Sequence, residues 1–200
     1  MANYLSKEQC LEHILLHYDT GKRFIVSLGG LSRSGKSTLC NWFLEKLKAI
    51  KIHAIVIPLD YWIIPIEKRT SSMTVMDRFQ YDNITKDLSS LVEQGSLSLF
   101  PYDFQSRSMS TTKIDLTLKE SCIAFIDGVI VLDHPYIRKI SSLKLYLEEE
   151  ETIRKGRFIQ FYRSKGLLDQ ELLALYEQRL IDELPHVYKT REIADYIVKM

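Results

Sequence analysis

The feature that most constrains this chain is the run Gly30-Leu31-Ser32-Arg33-Ser34-Gly35-Lys36-Ser37, which fits the pattern G-x-x-x-x-G-K-[ST]. With average residue usage, a chance match somewhere in 200 residues has a probability on the order of 1%. The context narrows its meaning. An apolar run over 23–28, closed by Gly29-Gly30, precedes it, and a helical pattern over 37–49 (Leu39, Trp42, Phe43, Leu47) follows it. A glycine-rich turn between a buried strand and a helix points successive backbone N–H groups at one place, where the helix N-terminus adds partial positive charge. Phosphate oxygens fit such a cradle, with Lys36 reaching the β- and γ-phosphates and the Ser37 hydroxyl ligating Mg²⁺. Gly30, Ser32, Arg33, Ser34, Gly35, Lys36, Ser37 and Thr38 are therefore the expected nucleotide-binding residues.

Charge and cysteine content exclude several classes. The 27 Lys and Arg balance 26 Asp and Glu, so neither nucleic acid nor a membrane surface is an expected partner. Cys10, Cys40 and Cys122 are widely spaced with no CxxC pair, which predicts reduced, packed thiols rather than zinc ligands or disulfides. No basic-then-apolar leader pattern opens the chain, and no apolar stretch approaches ~18 residues, so a cytoplasmic location is expected. A monomer and a homo-oligomer both remain open.

Periodicity supplies the layout. A capping box, Ser6 with Gln9, opens a helix over 6–18. Buried strands are read at 53–59, 122–126, 143–147 and 196–198, with a half-exposed strand at 113–118. Helices are read at 84–94, ended by Gly95, and at 149–164 and 168–183, with Pro185 breaking the last. Strands alternating with helices predict one α/β domain over 1–200, a mostly parallel sheet with helices on both faces. Asp60 and Asp127 each follow a buried strand, and strand ends of such sheets face the ligand crevice. Beside a triphosphate, one carboxylate can hold Mg²⁺ and another can accept the proton of an attacking hydroxyl.

The order of these landmarks resembles the uridine kinase-like branch of the P-loop small-molecule kinases, a group that includes phosphoribulokinase and pantothenate kinase. The likeness runs through Gly30–Ser37, Leu59-Asp60-Tyr61-Trp62, Tyr81-Asp82-Asn83, Pro101-Tyr102-Asp103-Phe104, Phe125-Ile126-Asp127-Gly128 and Ala194-Asp195-Tyr196-Ile197-Val198. It implies a P-loop NTPase-type three-layer fold with a small helical lid at about 149–166, and use of ATP with Mg²⁺. It also implies that Asp60 deprotonates a nucleoside 5′-hydroxyl, with Tyr61 beside it, that Asp82 holds the ribose, and that Tyr102 lines the base pocket. Asp127 stands where the family carries a Glu near Mg²⁺. Arg154, Arg157, Arg163 and Lys165 fall in the lid, with Arg157 and Arg163 the expected stabilisers of the transferring phosphoryl group.

Three departures are legible. Arg107 replaces a base-reading His, Tyr61-Trp62 replaces the residues that usually follow the first acid, and Gln160-Phe161 replaces an Arg-Asp pair in the lid. A non-nucleoside acceptor such as pantothenate or a sugar acid, with Arg107 pairing its anion, and a nucleotide switch or hydrolase are the alternatives.

Overall fold

The computed structural model describes residues 3–199. Six strands form one sheet: β1 (Tyr4–Leu5), β2 (Arg23–Gly29), β3 (Ala54–Pro58), β8 (Cys122–Asp127), β9 (Leu143–Glu148) and β10 (Tyr196–Lys199). Their order is β1-β10-β9-β2-β8-β3, and every neighbouring pair is parallel. Parallel strands need crossover connections, and the helices that supply them cover both faces.

Strand β8 shows the layering most clearly. Ile123 and Phe125 pack towards α1 (Lys7–His17) and α2 (Lys36–Ala49), where Phe125 stacks on Phe43 at 5.1 Å between centroids. The alternate residues Cys122, Ala124 and Ile126 face the opposite cluster, which includes Ile84, Leu88 and Leu91 of α3 (Tyr81–Gln94) and Ile137 of α4 (Pro135–Ile140). Both faces of the strand are buried, which is why it reads as a continuous apolar run rather than an alternating one. The P-loop NTPase-type α/β fold is the one the sequence implies. All three cysteines are buried and free.

Element boundaries follow local chemistry where such chemistry exists. The Ser6–Gln9 capping box closes in both directions at 2.9 and 3.2 Å, and Gly95 ends α3 with φ 77°, its N–H donating to Leu91 O. The start of α3 differs from expectation. It begins at Tyr81 rather than 84, after a Gln80 whose side chain makes no cap, so no capping signal marks it. The last helix, α6 (Asp169–Val187), also overrides its sequence and continues through Pro185. Glu183 and Val187, buried on either side of the proline, hold it in helical register despite the lost backbone donor.

Strand β7 (Ile114–Thr117) is the half-exposed strand expected at 113–118, whereas its partner and a second short hairpin were outside the sequence reading. β4 (Ser96–Leu99) pairs with β7, and β5 (Tyr102–Asp103) pairs with β6 (Ser108–Met109), both antiparallel. Helix α5 (Glu151–Arg163) and the turn to α6 occupy the stretch expected to form the lid.

Candidate active site

The sheet brings three loops to one edge. In register, Asp127 lies opposite Leu28 on one side and Pro58 on the other. The turn after β2, the end of β8 and the residues after β3 therefore meet at the carboxyl ends of adjacent strands. Asp60 follows in a single 3₁₀ turn, Leu59–Trp62. Gly128 allows this convergence, because a Cβ there would stand 2.7 Å from Leu59 Cβ.

The loop after β2 is shaped for backbone approach. Gly30 has φ 138°, and a Cβ on it would meet Leu147 O at 2.5 Å and Ser34 Oγ at 3.2 Å. Only glycine fits both that dihedral and that space. Gly35, at φ 100°, opens α2. Lys36 is buried, its ammonium donating to Gly30 O and Leu31 O at 2.9 Å each. Burial lowers the Lys36 pKa, while Asp127, Glu183 and Asp60 pull it back up. Ser37 Oγ donates to Asp127 Oδ2 at 2.9 Å.

A cleft of about 660 Å³ gathers these groups: Ser32, Arg33, Gly35–Thr38, Asp60 and Asp127 line it, with Arg157 and Lys165 above. Asp60 carries a carboxyl pushed up to about 6, chiefly by burial and then by the neighbouring Asp127, against the opposing pull of Lys36 and Arg33. Asp127 is raised too, again by burial, with Lys36 and the Ser37 hydroxyl opposing the rise. Two carboxylates whose surroundings keep one near neutrality and tie the other to a hydroxyl are suited to different tasks. The Ser37–Asp127 pair also fits Mg²⁺. A hydroxyl and a carboxylate side by side are the hard oxygen donors that Mg²⁺ takes, and these two residues would hold it.

Helix α5 bears on the loop directly. Arg154, buried, donates to Ser32 O at 3.0 Å and reaches Tyr176 Oη at 3.4 Å. Arg157 donates to Ser34 O at 3.2 Å and pairs with Glu149 at 2.9 Å. Phe161 lies under the Arg33 guanidinium, 3.5 Å from ring centroid to Cζ, so the side chain that replaces an acid in the lid supplies a cation–π face. Arg163 is different. It is ion-paired to Asp169 at 2.7 Å in solvent and does not line the cleft, unlike the place the sequence reading expected for it. Only every third or fourth helical residue shares a face, and position 163 lies six beyond 157.

Expected acceptor-binding residues scatter. Asp82, on the first turn of α3, opens onto an adjacent groove of about 900 Å³ that it shares with Met73, Met76 and Tyr81. Among the described residues no Lys, Arg or His lines that groove, and Asp60 and the loop after β2 are not part of its lining. Tyr102 is buried beneath Arg69, Tyr61 does not line the cleft, and Trp62 turns inward to Asp87 of α3 at 2.7 Å. Arg107 sits at φ 58° in the β5–β6 turn, away from the cleft, and its carbonyl accepts from Ile66 N–H. Phe104 and Gln105 of the same hairpin line the cleft instead, held by a turn in which Asp103 accepts from Gln105 N, Ser106 N and Ser106 Oγ.

Four residues escaped the sequence reading. Glu183, almost fully buried on α6, accepts from Ser32 N at 2.9 Å and Ser32 Oγ at 2.6 Å, tying α6 to the loop across 151 positions of sequence. Arg69, Arg78 and Arg179 line the same cleft. No local pattern marks any of them.

The fold is of the P-loop NTPase-type α/β class, with a glycine-shaped loop and two carboxylates meeting at one sheet edge. No family model matches the chain. Its relatives include the uridine kinase of Ligilactobacillus salivarius (strain UCC118), 23% identical over 186 residues that make up 88% of this chain and 85% of that one. The uridine kinase of Lactobacillus helveticus (strain DPC 4571) is 25% identical over 66% of this chain, and uridine kinase-like protein 5 of Arabidopsis thaliana is 20% identical over 68%. The chain matches only 64% and 30% of the lengths of those last two. Among solved structures, a fructose transport system kinase, so described, from Silicibacter sp. TM1040 aligns with TM-score 0.76 and 20% identity, covering 97% of this chain and 98% of that one. A chain described as a possible uridine kinase from Bacillus stearothermophilus aligns with TM-score 0.67 and 22% identity over 96% of each. The chain is thus similar in sequence to these uridine kinases and shares its fold with these kinase structures.

Proposed function

We propose that this chain transfers the γ-phosphoryl group of ATP to a hydroxyl of a small molecule. The observation that carries the reading is the presence of Asp60, its carboxyl at about 6, in one cleft with Lys36 and the Ser37–Asp127 pair. A carboxylate titrating just below neutrality is unprotonated at physiological pH yet basic enough to take a proton as the hydroxyl attacks.

In this reading the loop amides and Lys36 hold the polyphosphate of ATP, while Ser37 and Asp127 hold Mg²⁺, which neutralises phosphate charge when bound. The acceptor oxygen forms its bond to the γ-phosphorus as the bond to the β–γ bridging oxygen breaks. Its proton goes to Asp60 and then to solvent, and ADP leaves. Arg157 and Lys165, at the cleft from α5 and the turn beyond it, add positive charge where the transferring group passes. The same segment acts as a lid over a single domain, keeping water from competing with the acceptor.

The names of the sequence relatives support a nucleoside acceptor. A second reading, a non-nucleoside acceptor, is favoured by one observation: Asp82, Tyr102 and Arg107 do not share the cleft with Asp60. The test is an ADP-release assay with ATP, Mg²⁺ and separate nucleoside, sugar and hydroxy-acid acceptors. Acceptor-dependent ADP release, lost in Asp60→Asn, is the expected result. Hydrolysis of ATP at one rate whatever acceptor is added would refute the kinase reading in favour of a hydrolase.

A further inference from the structure

The cleft has two electrostatic centres, and the proposed transfer uses only one. Around Asp60 stand Lys36, Asp127, Arg33 and Glu183. The second centre is formed by Arg69 and Arg78, from the segment between β3 and α3, and Arg179, from α6; all three line the cleft. They sense one another: burial lowers the pKa of Arg78, and the charges of Arg179 and Arg69 lower it further against the pull of Asp182.

Countercharge at this end is incomplete. Arg78 is neutralised by Asp182 at 2.7 Å and also donates to Met73 O at 3.0 Å. Arg179 comes only within 3.8 Å of Glu183, whose two oxygens already accept from Ser32 N–H and Oγ–H. Arg69 has no carboxylate partner among the described residues. Its Nε donates to Ile64 O at 2.8 Å, its plane lies over the Tyr102 ring at 5.2 Å, and one terminal nitrogen, Nη2, is buried with no acceptor. A guanidinium that lines the cleft and is oriented by one hydrogen bond and one ring is pre-organised for a planar or tetrahedral oxyanion. Three guanidinium groups lining one cleft, with Asp182 and a shared Glu183 as their carboxylate partners, leave positive charge there that a bound anion would offset.

We infer that the acceptor is an anionic alcohol, a small hydroxylated molecule bearing a carboxylate or phosphate, whose anion is gripped by Arg69 and Arg179, with Arg78 behind them, while its hydroxyl meets Asp60. This inference rests on the kinase reading above and names the acceptor class of that same site. The anion of the acceptor thus falls to arginines from two separated elements, in place of Arg107.

Matched pairs test it. Titration calorimetry in the presence of Mg²⁺ and a non-hydrolysable ATP analogue compares glycerate with glycerol, gluconate with glucose, and glycerol 3-phosphate with glycerol; uridine and fructose are included as neutral acceptors. The expected result is at least about tenfold tighter binding for the anionic member of one or more pairs, and the carboxylate and phosphate arms identify which anion is preferred. Arg69→Gln and Arg179→Gln, on different elements, each reduce that preference about 10- to 100-fold and leave affinity for the ATP analogue within about twofold. The inference is overturned if no anionic member outbinds its neutral partner, if uridine or fructose binds tightest, or if both variants lose affinity for the ATP analogue as well, which would make the cluster a polyphosphate ligand. Failure of the kinase reading looks different: the native chain then releases ADP at one rate with every acceptor, whatever the anion preference.

Discussion

Replacing Asp60 by Asn separates what this residue contributes to chemistry from what it costs the fold. In the folded chain its carboxyl titrates at about 6 instead of 3.8, because burial and Asp127 penalise the charged form. At about 1.4 kcal/mol per unit, a rise of that size corresponds to a ceiling of about 3 kcal/mol of destabilisation at neutral pH. Asp60 is half-buried at the edge of an open cleft, and solvent screening brings the expected value to about 1–2 kcal/mol. The sign follows from proton linkage. Between the unfolded and folded pKa values, the native state holds the extra proton, so stability falls as pH rises through that window, and the full penalty applies above it. Asparagine has no charge to desolvate. The variant is therefore expected to match the native chain near pH ~3.8 and to exceed it by about 1–2 kcal/mol at pH ~7.5, a gain of roughly 2–8 °C in Tm for a chain of this size. Phosphoryl transfer falls about 10²- to 10⁴-fold in the same protein. Urea unfolding of both proteins across this pH range, with turnover measured in parallel, checks the expectation. A variant that is less stable at neutral pH, or whose advantage is the same at both ends of the range, refutes the assignment of a strained buried carboxylate at this position.

Other perturbations give contrasting outcomes. Glu183→Gln removes the charge from two short hydrogen bonds to Ser32, and is expected to cost about 1–2 kcal/mol of stability in urea unfolding; because Glu183 also raises the Asp60 pKa, the acid limb of the pH–rate profile moves to lower pH. Ser37→Ala leaves Asp127 without its hydroxyl partner and raises the Mg²⁺ concentration needed for half-maximal turnover about tenfold or more, with the thermal midpoint measured alongside to separate this from misfolding. Arg163→Ala deletes an exposed pair with Asp169 and changes stability by less than about 0.5 kcal/mol and turnover by less than about twofold. A large loss of activity there would restore the sequence expectation that the structure displaced.

Local patterns announced one half of the site. Gly30–Ser37 declares itself because its function is carried by consecutive backbone groups, and the glycines at 30 and 35 are required by positive φ and by the approach of Leu147 O. Asp127 and Asp60 were legible because buried parallel strands are apolar throughout, so the first acid after each run marks its carboxyl end. The acceptor half was less legible. Asp82, Tyr102 and Arg107 stand at landmark positions of the sequence, yet the segment 63–79 and the β5–β6 hairpin direct them into a separate groove, the protein interior and an outer turn. Periodicity also misjudged Pro185, because burial of Glu183 and Val187 outweighs the local cost of the proline.

What the sequence determined by itself is therefore the chemistry written along the chain: the strand–loop–helix cradle around Lys36, the two strand-end carboxylates and the parallel layering that places them at one edge. Tertiary structure alone decided which charges meet. Glu183 reaches Ser32 across 151 residues, Arg154 braces the loop from α5, and Arg69 and Arg179 converge on one cleft from elements that share no sequence pattern. The physical reason is range. Backbone geometry and periodicity act over a turn of helix or a few strand residues, whereas a guanidinium or carboxylate acquires its partners, and its pKa, only when the packed sheet fixes where distant elements stop.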